Sequence, residues 1–159
     1  MLMPCHQDEI CEELQISRQT WRKWRSELPR LASRKGGKSR FTSGELLALK
    51  ALHYLKRQHG VPFRKSAQVS DEIFDLCRYT HWDEITASVL AINTKSKTAE
   101  LIDPSNEEEV FKAFSVTIYL VPIGELLVEL KDNIHRDYEP ASLQKATRHE
   151  DHRAEPCYR

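Results

Sequence analysis

The side chains best suited to chemistry in this sequence lie in one short run, RQTWRKWR, at positions 18–25. An arginine side chain can donate two hydrogen bonds to a guanine, and a glutamine amide can bond an adenine in the same two-point way. Arg18, Gln19 and Arg22 are therefore suited to reading base edges. Such chemistry requires a helix that enters the major groove of duplex DNA and presents these side chains to the bases.

Positive charge is concentrated in the same part of the chain, although the whole chain has a formal net charge of zero. Residues 1–66 hold 14 Lys and Arg against 6 Asp and Glu, whereas residues 67–159 hold 10 against 18. Between positions 18 and 40, nine basic residues accompany one acid, Glu27. A solvated charged face accounts for a small surplus, but this asymmetry predicts contact with a polyanion. Lys23 and Arg25 are the predicted phosphate contacts of the run.

A second basic group surrounds the pair Gly36-Gly37. A Gly-Gly step between residues able to pair predicts a β-hairpin, and its tip carries Arg34, Lys35, Lys38 and Arg40. We expect this hairpin to act as a wing that contacts phosphates; a solubilising surface loop is the alternative.

Two short helices are predicted to position the run. Residues 6–15 place Ile10, Cys11 and Leu14 on one helical face. After a tight turn, Ser17 is a good N-cap for a helix from position 18 to 27 or 28, where Pro29 is expected to end it. Two such helices constitute a helix-turn-helix. Trp21 and Trp24 are three residues apart and are therefore predicted to pack in the core rather than to stack on bases.

A longer helix is predicted to support this pair. Thr42 and Glu45 have the spacing of a capping box, and leucines at positions 46, 49, 52 and 55 mark the buried side of a helix that Gly60 closes. Pro62 is expected at the first position of a short helical turn, and Ser70 is expected to cap a further helix.

The pattern changes after about residue 80. Residues 86–93 and 98–103 favour β-structure around a polar turn, which predicts a hairpin. Ser105 and Glu108 predict a capped helix to about residue 114, followed by a strand at 116–121 and an amphipathic helix from Ile123 to Ile134. We therefore predict an α+β chain: a mainly helical winged helix-turn-helix at 1–80, a small ββαβα domain for oligomerisation or partner binding at 81–135, and a flexible charged tail at 136–159.

Residues 6–78 resemble the MerR-type and excisionase-type winged helix-turn-helix. The resemblance rests on the segment ISRQTWRKW at 16–24, the Gly-Gly wing and the following SRFTSGEL at 39–46. This resemblance implies that Arg22 and Arg40 hold phosphates, that Thr20 caps the helix or touches the DNA backbone, and that Phe41 pins the wing to the core. The residues predicted to contact DNA are Ser17, Arg18, Gln19, Thr20, Arg22, Lys23, Arg25, Arg34, Lys35, Lys38 and Arg40.

Other classes of function find little support in the sequence. There is no phosphate-binding Gly-rich loop, nucleophile elbow or His-Glu-x-x-His motif, so we do not expect an enzyme. The four cysteines contain no Cys-x-x-Cys pair, which favours reduced thiols without a metal or another cofactor. No long apolar run or secretion signal is present, so we expect a cytoplasmic protein without a membrane partner.

These observations predict a sequence-specific, double-stranded DNA-binding transcriptional regulator of bacterial or phage type. A homodimer is expected, because paired half-sites multiply affinity and specificity. The alternative is a DNA-architectural or packaging factor, such as an excisionase or a small terminase subunit, whose residues 81–135 recruit a recombinase or a motor protein.

Overall fold

A computed structural model describes residues 5–34, 40–106, 108 and 118–136. For residues 134–136 it describes the backbone alone. Its helices and strands confirm the predicted α+β class. In chain order they are α1 (Gln7–Glu13), α2 (Arg18–Glu27), α3 (Pro29–Ala32), α4 (Ser43–His59), α5 (Phe63–Ser66), α6 (Ser70–Tyr79), α7 (Trp82–Thr86), β1 (Val89–Asn93), β2 (Thr98–Ile102), β3 (Ile118–Val121) and α8 (Ile123–Arg136).

The first two helices, with the turn between them, form a unit that we call the helix pair. Its bounds agree with those predicted, and Ser17 is the N-cap of α2, where its hydroxyl accepts a hydrogen bond of 3.1 Å from the Thr20 amide. In the turn, Gln15 has a φ of 51°, in the left-handed region that ends many helices. Ile10 and Leu14 of α1 are buried, so this helix packs inward as predicted.

The central helix is α4, and every residue from Ser43 to Leu52 is buried. Its predicted capping box is present: the Thr42 hydroxyl accepts from the Glu45 amide at 3.2 Å, and the Glu45 carboxylate accepts from the Thr42 amide at 2.8 Å. Gly60 ends the helix at a φ of 64°, which glycine adopts at no steric cost. The strong caps at both ends explain why the sequence locates this helix well.

The end of α2 is confirmed, since the helix ends at Glu27 with Leu28 extended before Pro29. A short helix that was not predicted, α3, then begins at Pro29, because proline fits the first turn of a new helix. Two predictions about helix starts are wrong. Ser70 lies inside α6 rather than capping it, since its hydroxyl donates to the Ala67 carbonyl at 2.7 Å. Pro62 is the N-cap of α5 instead of its first residue.

A further helix that the sequence did not predict, α7, ends at Thr86, the residue at which the first strand was predicted to begin. His81 is its N-cap, and Asp83 and Glu84 lie in its first turn, where negative charge is favourable. The first strand therefore begins at Val89 instead of Thr86.

The three strands form an antiparallel sheet in the order β2-β1-β3. Leu90 of the central strand pairs with Leu101 on one side and Val121 on the other. The predicted hairpin turn is present, and the Asn93 side chain accepts hydrogen bonds of 3.0 Å from two of its amides. The sheet thus follows the predicted β-hairpin and later strand, with β1 in the middle.

Parts of three predicted features lie outside the described residues: the wing at 35–39, the helix from 105 to 114, and the tail. At the start of that helix, Ser105 lies in a short 3-10 turn, Pro104–Asn106. Its amide donates to the Asp103 carboxylate at 2.8 Å, so Asp103 is the acceptor at this point. The predicted strand at 116–121 is described from Ile118 onward.

The described residues of both halves share one apolar core, which reaches from Ile10 to Leu130. Helix α8 packs against α4 and α7 and contributes Ile123, Leu127 and Leu130, all 0 % exposed. Residues on both sides of the predicted domain boundary near residue 80 thus belong to the same core. No helix among the described residues is long and apolar enough to cross a membrane.

Candidate nucleic-acid interface

Helix α2 presents a polar face to solvent and an aromatic face to the core. Arg18, Gln19, Arg22 and Lys23 are exposed. The tryptophans at positions 21 and 24 are each 1 % exposed, which confirms that they belong to the core. The spacing of these residues therefore separates the candidate base contacts from the groups that hold the helix.

The two tryptophans fix α2 at two points. Trp21 meets the edge of Phe41, with ring centroids 5.5 Å apart, and the strand-like bridge between Phe41 and Cys5 holds that ring. Trp24 stacks on Phe63 of α5 at 4.4 Å with an interplanar angle of 14°. Aromatic contacts of this kind stabilise beyond the area they bury. The solvent-facing side of α2 is consequently held in place by aromatic packing on the opposite side.

Next to Trp24 lies His53 of α4, with ring centroids 5.7 Å apart. Burial, followed by the charges of Arg57, Lys56 and Lys50, lowers the pKa of His53 below its ordinary value of 6.5. The imidazole is therefore neutral at neutral pH and adds no charge to this surface.

The side chains of Gln19 and Arg22 make no hydrogen bond or ion pair with any described residue. Arg18 lies 3.2 Å from Asp8, and Lys23 lies 4.0 Å from Glu27. Both pairs are solvent-accessible, and such pairs contribute little energy. All four side chains can therefore turn toward a ligand at small cost.

Ser17 and Thr20 use their hydroxyls within the helix cap, where the two oxygens are 3.0 Å apart. Arg25 donates to the Arg34 carbonyl at 2.6 Å, so it ties α2 to the segment that precedes the wing. These three predicted DNA contacts thus have structural partners in the free protein.

Arg34 is held by the protein itself. Its guanidinium pairs with the buried carboxylate of Glu45 and lies 4.9 Å from the centre of the Phe41 ring. Only 28 % of its side chain is exposed. Arg40 is exposed, whereas the predicted wing contacts Lys35 and Lys38 lie outside the described residues.

Another of the nine basic residues in the segment at 18–40, Arg30, is paired with acids of the protein itself. Arg30 of α3 lies 2.6 Å from Asp75 and 3.8 Å from Asp71, both on α6, and over the ring of Phe74 at 5.5 Å. Charge counting along the sequence therefore overstates the number of free cations in this segment.

A second cluster of cations was missed by the sequence interpretation. It lies where α4 ends and α5 begins, and its members are exposed, with no side-chain hydrogen bond or ion pair to any described residue. Phe63, stacked on Trp24, places it beside the helix pair. A run from 56 to 65 with four cations and no acid is the signal that would have identified it. We call Lys56, Arg57, Arg64 and Lys65 the α4–α5 cluster.

The described residues contain no group of three or more His, Cys, Asp or Glu side chains able to hold a metal ion. Cys77 and His81, which have helical spacing, do not share an environment: Cys77 is 1 % exposed, whereas the His81 side chain is 80 % exposed. Burial raises the pKa of the Cys77 thiol to about 12, so it remains protonated. His81 lies 3.4 Å from Asp83 in an exposed pair.

The chain matches no protein-family model, no curated protein and no solved structure. Its function is therefore argued from the surface of α2 and the cations around it.

Proposed function

We propose that this protein binds double-stranded DNA with sequence specificity through α2, and acts as a cytoplasmic transcriptional regulator of bacterial or phage type. The observation that carries the proposal is the division of α2 into two faces. Gln19 and Arg22 project unpaired from the solvent side, while both tryptophans anchor the opposite side. A helix so arranged suits the major groove, which is about 12 Å wide.

Cations around α2 supply the predicted phosphate contacts. Arg18 and Lys23 flank the base-facing residues on the helix itself, and Arg40 follows the wing segment. Two members of the α4–α5 cluster, Arg64 and Lys65, follow Phe63, whose ring stacks on Trp24 in the same helix. Because each neutralised phosphate releases bound counterions, these groups make the affinity for DNA fall steeply as salt rises.

The acidic half suits a role other than DNA contact. Exposed acids occur on α6, α7 and α8, for example Asp71, Glu84 and Asp132. We assign this half to dimerisation or to a protein partner. A DNA-architectural or packaging factor that recruits a recombinase or a motor protein would use the same DNA-binding face, and co-purification with such an enzyme would distinguish it.

The proposal is tested by full-chain titrations of labelled duplexes, one random and one selected for tight binding from a random library. Arg22→Ala and Gln19→Ala should each weaken binding to the selected duplex by about 1–3 kcal/mol. Lys95→Ala, which removes an exposed charge from the β-hairpin turn, is the matched control and should change little. Equal effects of Arg22→Ala and the control would contradict the assignment of α2.

A further inference from the structure

A partly buried polar cluster joins the C-terminal helix to the helix pair. The Glu13 carboxylate accepts a hydrogen bond of 2.6 Å from the Lys50 ammonium on α4. The Asn133 amide of α8 donates to both oxygens of the same carboxylate, at 3.2 and 3.3 Å. Glu129, one turn earlier on α8, lies 3.7 Å from Lys50. Side chains from the beginning, middle and end of the described chain thus meet at one carboxylate.

The two charges at the centre of this cluster are largely removed from water and therefore need close partners. The side chains of Lys50 and Glu13 are 10 % and 16 % exposed. A charge removed from water needs close partners, because the loss of one leaves the other uncompensated. Glu13 is therefore held from two sides, by an ammonium on α4 and by an amide on α8. Through Asn133, α8 contacts α1 directly.

Glu13 is the last residue of α1, four residues before the N-cap of α2. The short connection between them includes Gln15, whose φ of 51° few residues other than glycine adopt readily. A connection this short, with one constrained residue, transmits a shift of Glu13 to the start of α2. The candidate base contacts Gln19 and Arg22 lie in the first turns of that helix.

We propose that Asn133 is a positioning residue for DNA recognition: by holding Glu13, it fixes the orientation in which the helix pair presents α2. The inference rests on the proposed function. It makes α8 a part of the DNA-recognition apparatus although it lies in the acidic half. A partner that displaces the end of α8 would then alter the choice of DNA sequence while leaving the phosphate-contacting cations in place.

The test compares Asn133→Ala with Asp132→Ala in the full chain. Asp132 is exposed and adjacent on the same helix, so its variant controls for the loss of a polar side chain from α8. Hydrogen exchange of the α1 and turn amides is measured without DNA, and affinities are measured for a selected and a random duplex. Asn133→Gln, which keeps an amide donor, serves as the conservative variant, and circular dichroism establishes that each variant is folded.

We expect Asn133→Ala to speed exchange in α1 by about tenfold, the factor that a hydrogen bond of ordinary net strength provides. It should also lower the preference for the selected duplex several-fold while affinity for the random duplex stays unchanged. Asn133→Gln should restore part of that preference. An Asn133→Ala protein that matches Asp132→Ala in exchange and in preference overturns the inference. If the wild-type chain binds neither duplex, the proposed function itself fails, whatever Asn133 does.

Discussion

At the scale of single residues, Trp24 explains how α2 can expose a polar face to solvent and still be held firmly in the fold. Its ring lies between Phe63 on one side and His53 on the other, and it is 1 % exposed. Gln19 and Arg22, on the exposed side of the helix, can therefore face a ligand, because they carry little of the packing. The candidate base contacts and the residues that stabilise the fold are therefore different side chains of the same helix.

Replacement of Trp24 by alanine should accordingly lower the free energy of unfolding by about 3–5 kcal/mol, the usual cost of removing a large aromatic from a core. Urea unfolding followed by circular dichroism measures the change. Tyr79→Ala is the control, because that side chain is 74 % exposed, and it should cost far less. Similar losses for the two variants would mean that Trp24 does not anchor α2.

The buried thiol of Cys77 gives a prediction about pH. Its pKa is raised from 9.0 to about 12 by burial, so between these values the thiol stays protonated in the folded chain and ionises in the unfolded one. The unfolded state then binds fewer protons, and stability falls as pH rises through this window, by about 1.4 kcal/mol per pH unit.

Cys77→Ala removes this contribution, and it is checked by urea unfolding of wild type and variant at pH 8 and at several values above 9. The difference in stability between the two proteins should shrink as pH rises. A difference that stays constant up to pH 11 would show that the thiol is not protected.

Residue types and spacing predicted the burial of both tryptophans and the exposure of Arg18, Gln19, Arg22 and Lys23, because helical period alone decides those positions. They did not predict the partners of Arg34 and Arg30. Those ion pairs join segments distant in sequence, and their acids, such as Glu45 and Asp75, become neighbours only when α4 and α6 are packed.

At the scale of elements, the crossing of α4 and α6 is unusually close. Gly44 lies at the start of α4, where a Cβ would be 2.6 Å from the backbone carbonyl oxygen of Cys77. No flexible side chain can move aside there, since the obstacle is the backbone of α6. The helices approach closely because this position has no side chain.

Gly44→Ala should therefore separate α4 from α6 and lower the free energy of unfolding by about 1–3 kcal/mol or more. Thermal and urea unfolding measure the loss. Gly60→Ala provides the comparison, because its Cβ meets nothing within 4 Å and only its left-handed φ of 64° opposes the change, at a cost of about 1–2 kcal/mol. If Gly44→Ala leaves stability unchanged, the helices are free to move apart.

Elements with strong local signals were predicted well. Helix α4 has a capping box and a closing glycine, and α2 has a serine N-cap, so their bounds follow from local chemistry. Helices α3 and α7 were missed because they are only four and five residues long, too short for a periodic pattern. Their place in the fold is settled by packing against neighbours rather than by their own sequence.

At the scale of the whole molecule, the continuous core has a consequence for unfolding. Buried apolar residues between Ile10 and Leu130 belong to one cluster. Helix α4 contacts α1 and α2 on the one hand and α8 on the other. Net charge and secondary structure change near residue 80, where the sequence predicted a domain boundary. The apolar core nevertheless includes residues from both sides of that boundary.

The full chain should consequently unfold in one cooperative transition, as small domains with a single core do. Tryptophan fluorescence reports on both halves, because Trp21 and Trp24 lie in the first and Trp82 in the second. Two variants keep only Trp24 or only Trp82, with the other tryptophans replaced by phenylalanine. Within each variant, the urea midpoint from fluorescence should coincide with the midpoint from circular dichroism. Separate midpoints within one variant would establish two independent domains.

The central claim, that the helix pair and the surrounding cations bind duplex DNA, is tested most directly by the salt dependence of binding. The full chain is titrated with a labelled duplex at several salt concentrations between about 50 and 300 mM, a range over which phosphate contacts lose much of their strength. Log affinity should fall linearly with log salt, with a slope of about −4 or steeper, because at least five exposed cations can neutralise phosphates. Binding that is absent at the lowest salt, or insensitive to salt, would contradict it.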